Sequence, residues 1–180
     1  AASDVYKRQA FGGLSSTAYN RKLGQYVSAM DNHGTDVARL WLLGNDLDKA
    51  APTGSIVLTD ENGTPYNGET TDDEGLGVLP NGDFLLTSEG HPNAAEGEHE
   101  QPKIRIFGID GRQKNELPVP ELFDINCRGQ AVHNKSLEAL TVSPSGHQIV
   151  VGNEYALKND SPAARTSPPQ PAARWSIVTT

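Results

Sequence analysis

Five acidic residues fall at spacings that could gather them in one place. Glu74 and Glu138 lie 64 residues apart, Glu89 and Glu154 lie 65 apart, and Asp31 precedes Glu89 by 58. Recurrence at about 60 residues marks an array of similar units, and if those units superpose, Glu74 and Glu138 share one position while Asp31, Glu89 and Glu154 share another. Carboxylates that converge repel one another. At ~4 Å and an effective dielectric of about 20, each close pair costs on the order of 4 kcal/mol. Such groups must be protonated, be paired with Arg or Lys, or hold a cation. No Cys or His cluster has zinc spacing, so hard oxygen donors point to Ca²⁺. In that chemistry Glu74, Glu89, Glu138, Glu154 and Asp31 are candidate ligands, with Glu74 and Glu138 at the reacting centre. A bound cation would polarise a substrate oxygen and activate a water. His133, shortly before Glu138, is a candidate general base. Arg39, Arg105, Lys135 and Arg174 are candidates to steady an anionic substrate. The competing reading makes the acids loop caps that accept backbone N–H bonds and leaves the basic side chains solvated or ion-paired.

The elements that must position these acids are hairpins. Leu76–Leu79 and Phe84–Thr87 are apolar runs around Pro80-Asn81-Gly82, whose proline presets φ and whose Asn-Gly tolerates the positive φ of a tight turn. Glu74 precedes this hairpin and Glu89 follows it. The pattern returns as Glu138–Ser143, a Pro144-Ser145-Gly146 turn, and Gln148–Glu154. A looser upstream copy runs Leu14–Tyr19, turns at Asn20–Gly24, and continues through Tyr26–Asp31, with Leu14 expected where the leading acid stands in the other two. Further strands are expected at Arg39–Leu43, Ser55–Thr59, Lys103–Ile109 and Asn115–Val119. Gly90–Gln101 reads as an acidic loop carrying His91 and His99, Pro120–Lys135 as irregular, and Ser161–Ala173 as a Pro/Ala/Ser-rich linker. No segment has helical periodicity. The expected class is all-β, and hairpin-bearing copies in array imply propeller blades.

Composition narrows the function. The 180 residues carry a net charge of −8, which argues against nucleic acid or an anionic membrane as partner. No apolar run is long enough to span a bilayer. Cys127 stands alone, so no intrachain disulfide can form and no cysteine-based metal site exists; it reads as a small buried thiol. No G-x-S-x-G elbow supports serine-hydrolase chemistry. Residues 1–10 lack a period and read as a non-native leader, leaving 11–180 as one domain. Arg174–Thr180 reads as a strand that simply stops, the expectation for a piece of a longer protein.

Several short motifs stand in a fixed order: Gly12-Gly13-Leu14-Ser15 with Tyr19 and Gly24; Asp73-Glu74-Gly75 with Leu79–Gly82; Ser88-Glu89-Gly90; Ile104–Phe107 with Asp110-Gly111-Arg112 and Glu116-Leu117-Pro118; Asn134, Glu138-Ala139-Leu140 with Ser143-Pro144 and Gly146; and Asn153-Glu154 with Ala156-Leu157. In this succession, over about Phe11–Asp160, the sequence resembles the esterase-like phytase family. The resemblance implies a β-propeller, six-bladed when complete and present here as an open set of about three blades. It implies hydrolysis of a small anionic ester or phosphoester, a monomeric complete protein, and a secreted or periplasmic location. One departure stands out: Ser136-Leu137 occupies the place where the family has glycine and an aromatic residue before the Glu. Two other functions fit a propeller, a non-catalytic module that binds a ligand or protein, and a Ca²⁺-dependent lactonase-type enzyme.

Overall fold

The computed structural model describes residues 11–32, 34–46, 48, 51–92, 99–126, 128–160 and 174–178, and at 91, 92, 99 and 174–178 it describes the backbone alone. Among them the chain is all-β, with a 3-10 turn at Glu121–Phe123. Strands β1 (Leu14–Asn20), β2 (Gln25–Met30), β3 (Arg39–Gly44) and β4 (Gly54–Val57) form a four-stranded antiparallel meander. A second meander follows, from β5 (Asp73–Val78) and β6 (Phe84–Ser88) to β9 (Lys103–Phe107) and β10 (Gln113–Leu117). Between β6 and β9 the chain makes a two-residue ladder of β7 (His91–Pro92) and β8 (His99–Glu100). The third sheet pairs β11 (Leu137–Val142), β12 (Gln148–Asn153) and β13 (Arg174–Val178).

The expected hairpins are β1–β2, β5–β6 and β11–β12. Their turns close as the glycines require, with φ of +66° at Gly24, +91° at Gly82 and +77° at Gly146. The outer strand of the second sheet begins at Gln113, two residues earlier than the Asn115 expected from composition, directly after the Asp110-Gly111 turn.

The three sheets are stacked with their first strands side by side, β5 packing against β1 on one flank and β11 on the other. The middle sheet is therefore covered on both faces, and β6 is buried along its whole length rather than on alternate residues. Alternation still governs where each side chain goes. Phe84 and Leu86 join Val27, Ala29, Leu40 and Leu76 in a core between the first two sheets. Leu85 points the other way and meets Leu137, Ile149 and Val151 between the second and third. The irregular stretch after β10 fills the rest of this second core with Phe123, Ile125 and Ala131. Close approach of β5 and β11 depends on glycine: a Cβ at Gly75 would stand 2.8 Å from Leu140 Cβ and 2.9 Å from its backbone nitrogen.

The leader at 1–10, Cys127 and the Pro-rich segment at 161–173 lie outside the described residues.

Candidate functional site

Pairing register decides which residues of the three hairpins are equivalent. Leu14 faces Met30, Asp73 faces Ser88 and Leu137 faces Asn153. Immediately beyond each of these pairs the ladder slips. On β1 three residues reach Thr17 while two on β2 reach Ser28; on β5 three reach Leu76 while two on β6 reach Leu86; on β11 two reach Ala139 while one on β12 reaches Gly152. Each first strand thus carries a β-bulge at the same place, and a bulge re-aims the side chain it carries. Glu74 and Glu138 are the first residues of theirs. In the first sheet that position belongs to Ser15, which corrects the expectation of Leu14 there. Ser15 donates its hydroxyl to the Asp73 carbonyl at 3.2 Å.

The second set of acids is held by a repeated backbone bond. Asp31 N–H donates to Gly13 O at 2.7 Å, Glu89 N–H to Asp72 O at 3.1 Å, and Glu154 N–H to Ser136 O at 2.8 Å. The strand ends that carry Asp31, Glu89 and Glu154 are thereby tied to the strand starts that carry Ser15, Glu74 and Glu138.

Two groups of carboxylates result. Oxygens of Glu74, Glu89 and Glu138 lie within 4.8 Å of one another, and so do oxygens of Asp31, Asp72 and Glu74. Glu74 belongs to both. Glu154 joins through a hydrogen bond to Glu138, and Lys135 Nζ lies 2.9 Å from Glu154 Oε2. Glu89 is 2% exposed; its carboxylate accepts the Ser136 N–H, and its carbonyl accepts the Ser136 hydroxyl at 3.1 Å.

These surroundings favour protons on the acids. Burial, then the charges of Glu138, Asp31, Asp72 and Glu89, push Glu74 up to about 9. Burial pushes Glu89 up to about 7 against the opposing pull of the Ser136 N–H. Glu138 is raised as well, by burial first and then by its hydrogen bond to Glu154, with Lys135 opposing. Asp31, Glu74, Glu89, Glu138 and Glu154, the five expected ligands, come together at one end of the strand bundle.

A family model described as phytase-like, esterase-like activity of phytase, matches residues 9–179. The chain belongs to that family. No curated protein matches this sequence at a significant level.

In this phytase-like chain the donor set suits a hard cation. Asp31, Asp72, Glu74, Glu89, Glu138 and Glu154 offer carboxylate oxygens only, and an ammonium, Lys135, approaches them from one side. Asp72 was not among the expected ligands. Its equivalents by register are Gly13 and Ser136, so a search by period passes over it.

Behind the site, Asp73 is buried and pushed up to about 6, chiefly by burial, while Thr71 and Arg105 pull the other way. Thr71 Oγ1 donates to Asp73 Oδ1 at 2.7 Å and accepts from Arg105 Nη1 at 3.0 Å, and Arg105 Nη2 lies 2.6 Å from Glu100 Oε1. The guanidinium also rests over Tyr66, 4.9 Å from the ring centroid. Arg105 therefore reaches the acidic end through Thr71 and Asp73. Arg39 is buried in the first sheet, bonded to Val37 O and Ser55 Oγ and set over Trp41 at 5.2 Å. Arg174 pairs with Gly152 through its backbone, and its side chain lies outside the described residues. His133 is exposed on the turn bridged by Val132 and Lys135. His147 is exposed beyond the Gly146 turn, at the opposite end of β12 from Glu154. His33 and the side chains of His91 and His99 lie outside the described residues.

Proposed function

We propose that the three sheets are consecutive blades of a phytase-like β-propeller, and that their acidic end is a Ca²⁺-assisted hydrolytic site for a small phosphoester or ester. Each meander begins with a strand at the common centre and works outward, as propeller blades do. The observation that carries the functional reading is the convergence of Glu74, Glu89 and Glu138, delivered from two sheets by matching bulges and matching backbone bonds.

When bound, Ca²⁺ supplies a Lewis acid that polarises the substrate oxygen and makes a coordinated water more acidic. Glu74, Glu89, Glu138 and Asp31 are the residues to hold it, with Asp72 added by the geometry and Glu154 acting through Glu138. The Ser136 bonds fix Glu89 so that its carboxylate is oriented beforehand. Lys135 balances Glu154 and is placed to meet an anionic group entering the site. His133, two residues before Lys135, is the candidate base, since a neutral imidazole accepts a proton near neutral pH. Arg105 and Arg39 act further out, Arg105 by holding Thr71 and Asp73 in place. Secretion or a periplasmic location accords with a Ca²⁺ site and is part of the same proposal.

The reading is tested by assaying the gene product against aryl phosphates and aryl carboxylic esters, with Ca²⁺ and with chelator, beside Glu74→Gln. Turnover that requires Ca²⁺ and falls at least tenfold in the variant is expected. Equal turnover in all conditions would sink the metal-assisted site.

A further inference from the structure

The opposite end of the same strands holds a second concavity. The three hairpin turns meet there and enclose about 280 Å³ between β1, β5 and β11. Along β5 this end is about 16 Å from Glu74, five residues at roughly 3.3 Å each. The rim is basic, where the other end is acidic. Arg21 and Lys22 stand in the β1–β2 turn, both exposed, and neither has a carboxylate partner among the described residues.

That turn is fixed in place. Asn20 is fully buried; its amide donates to Gly82 O at 2.9 Å, and its Oδ1 accepts the N–H groups of Lys22 at 2.9 Å and Leu23 at 3.1 Å. The Lys22 stem lies across Gly82, where a Cβ would come within 2.8 Å of Lys22 Cβ. The third turn leans on the second in the same way, Gly146 against Pro80. Leu79, Val142 and Tyr19 line the concavity together with the polar Ser143. A pair of cations beside the apolar side chains of Leu79 and Val142 matches an anion that carries an apolar body. The volume limits that body to about one ring or a short chain.

We propose that this cavity is a binding site for a small organic oxyanion, separate from the carboxylate end. Arg21 and Lys22 take the oxyanion, Arg21 as a two-pronged donor to a phosphate or carboxylate. Leu79 and Val142 take the apolar body. The site does not depend on the cation chemistry proposed for the other end.

The test is an NMR titration of the ¹⁵N-labelled chain with phenyl phosphate, benzoate and inorganic phosphate, on the wild type and on Arg21→Ala/Lys22→Ala. A second variant, Val142→Ser, changes the wall and leaves both cations. Phenyl phosphate, benzoate or both are expected to shift amides at 19–24, 78–82 and 142–146 while leaving 72–74 and 138 unmoved. Inorganic phosphate should bind at least several-fold more weakly. The double variant should weaken binding about tenfold or more, the effect of losing a charge-assisted contact worth about 1.4 kcal/mol. Val142→Ser should weaken phenyl phosphate and leave inorganic phosphate unchanged. The proposal is overturned if neither organic anion binds, if shifts centre on the carboxylate end, if the double variant binds as the wild type does, or if inorganic phosphate binds as tightly as phenyl phosphate.

Discussion

Replacing Glu74 by Gln should stabilise the metal-free protein at neutral pH, although it removes a candidate ligand from the site. Glu74 has its carboxyl raised from 4.5 to about 9 by burial and by four neighbouring acids. An acid raised in the folded state supports folding fully below its unfolded value and loses that support as pH climbs toward its folded value. Between pH 4.5 and 7.5 the unfolded chain releases this proton while the folded chain retains it. Three pH units at about 1.36 kcal/mol each set a ceiling of about 4 kcal/mol against folding. The side chain is only partly buried, so solvent screening cuts this to about 1–2 kcal/mol. Gln keeps the shape and carries no titrating proton. For a domain of this size each kcal/mol moves Tm by roughly 2–4 °C, so melts in chelator at pH 7.5 should show the variant about 3–6 °C higher. At pH 4.5 the gap should nearly close, because the folded Glu74 is then neutral and the unfolded one half protonated. Under saturating Ca²⁺ the order should reverse, since a ligand at one hundred times its Kd adds about 2.7 kcal/mol to whichever protein binds it. Identical melts at pH 7.5, or the same gap at pH 4.5, would refute the carboxylate geometry on which this rests.

Two further substitutions probe what holds the site. Gly75→Ala places a methyl group against Leu140 backbone, where nothing flexible can yield, and should cost about 1–3 kcal/mol in urea unfolding while separating β5 from β11. Calcium affinity should fall with it, because that contact sets the distance between Glu74 and Glu138. Arg105→Met keeps the bulk over Tyr66 but leaves the Thr71–Asp73 pair without its cation and Glu100 with Lys103 alone. A loss of about 3 kcal/mol is expected from chemical denaturation, largest above pH 6, where Asp73 is ionised.

The hairpins were legible because their signals are local. Pro80-Asn81-Gly82 and Pro144-Ser145-Gly146 specify turns whatever surrounds them, and the apolar runs on either side need only the period of a strand. The acids at the hairpin ends followed from counting. The bulges did not, because a bulge is a property of two strands in register, and the three sequences that form it, Ser15-Ser16, Glu74-Gly75 and Glu138-Ala139, share Glu in only two copies at the first position and no residue type at the second. Without the bulge, Leu14 was the natural match for the leading acid; with it, Ser15 is. Asp72 escaped for a related reason, since it belongs to the site by proximity and not by repetition. The stretch after β10 was legible as irregular, but its contribution of Phe123, Ile125 and Ala131 to the second core depends on tertiary packing that no period announces.

The repeats build sockets that are alike and fill them unequally, and the inequality has an electrostatic reason. Six carboxylates already meet near Glu74, against one ammonium from Lys135. With Glu74 raised to about 9 and Glu89 to about 7, the cluster retains protons through neutral pH. An acid in place of Ser15 would add little negative charge, because its neighbours would take up protons to compensate. A hydroxyl there costs nothing of the kind and closes the first bulge onto the Asp73 carbonyl. The anionic charge is thus carried mainly between β5 and β11, where Glu89 and Glu154 face Glu74 and Glu138. For a cation to bind at that seam it must displace the protons those acids hold, so binding and proton release are one equilibrium. Strict repetition would have made the site more symmetric without making it more negative.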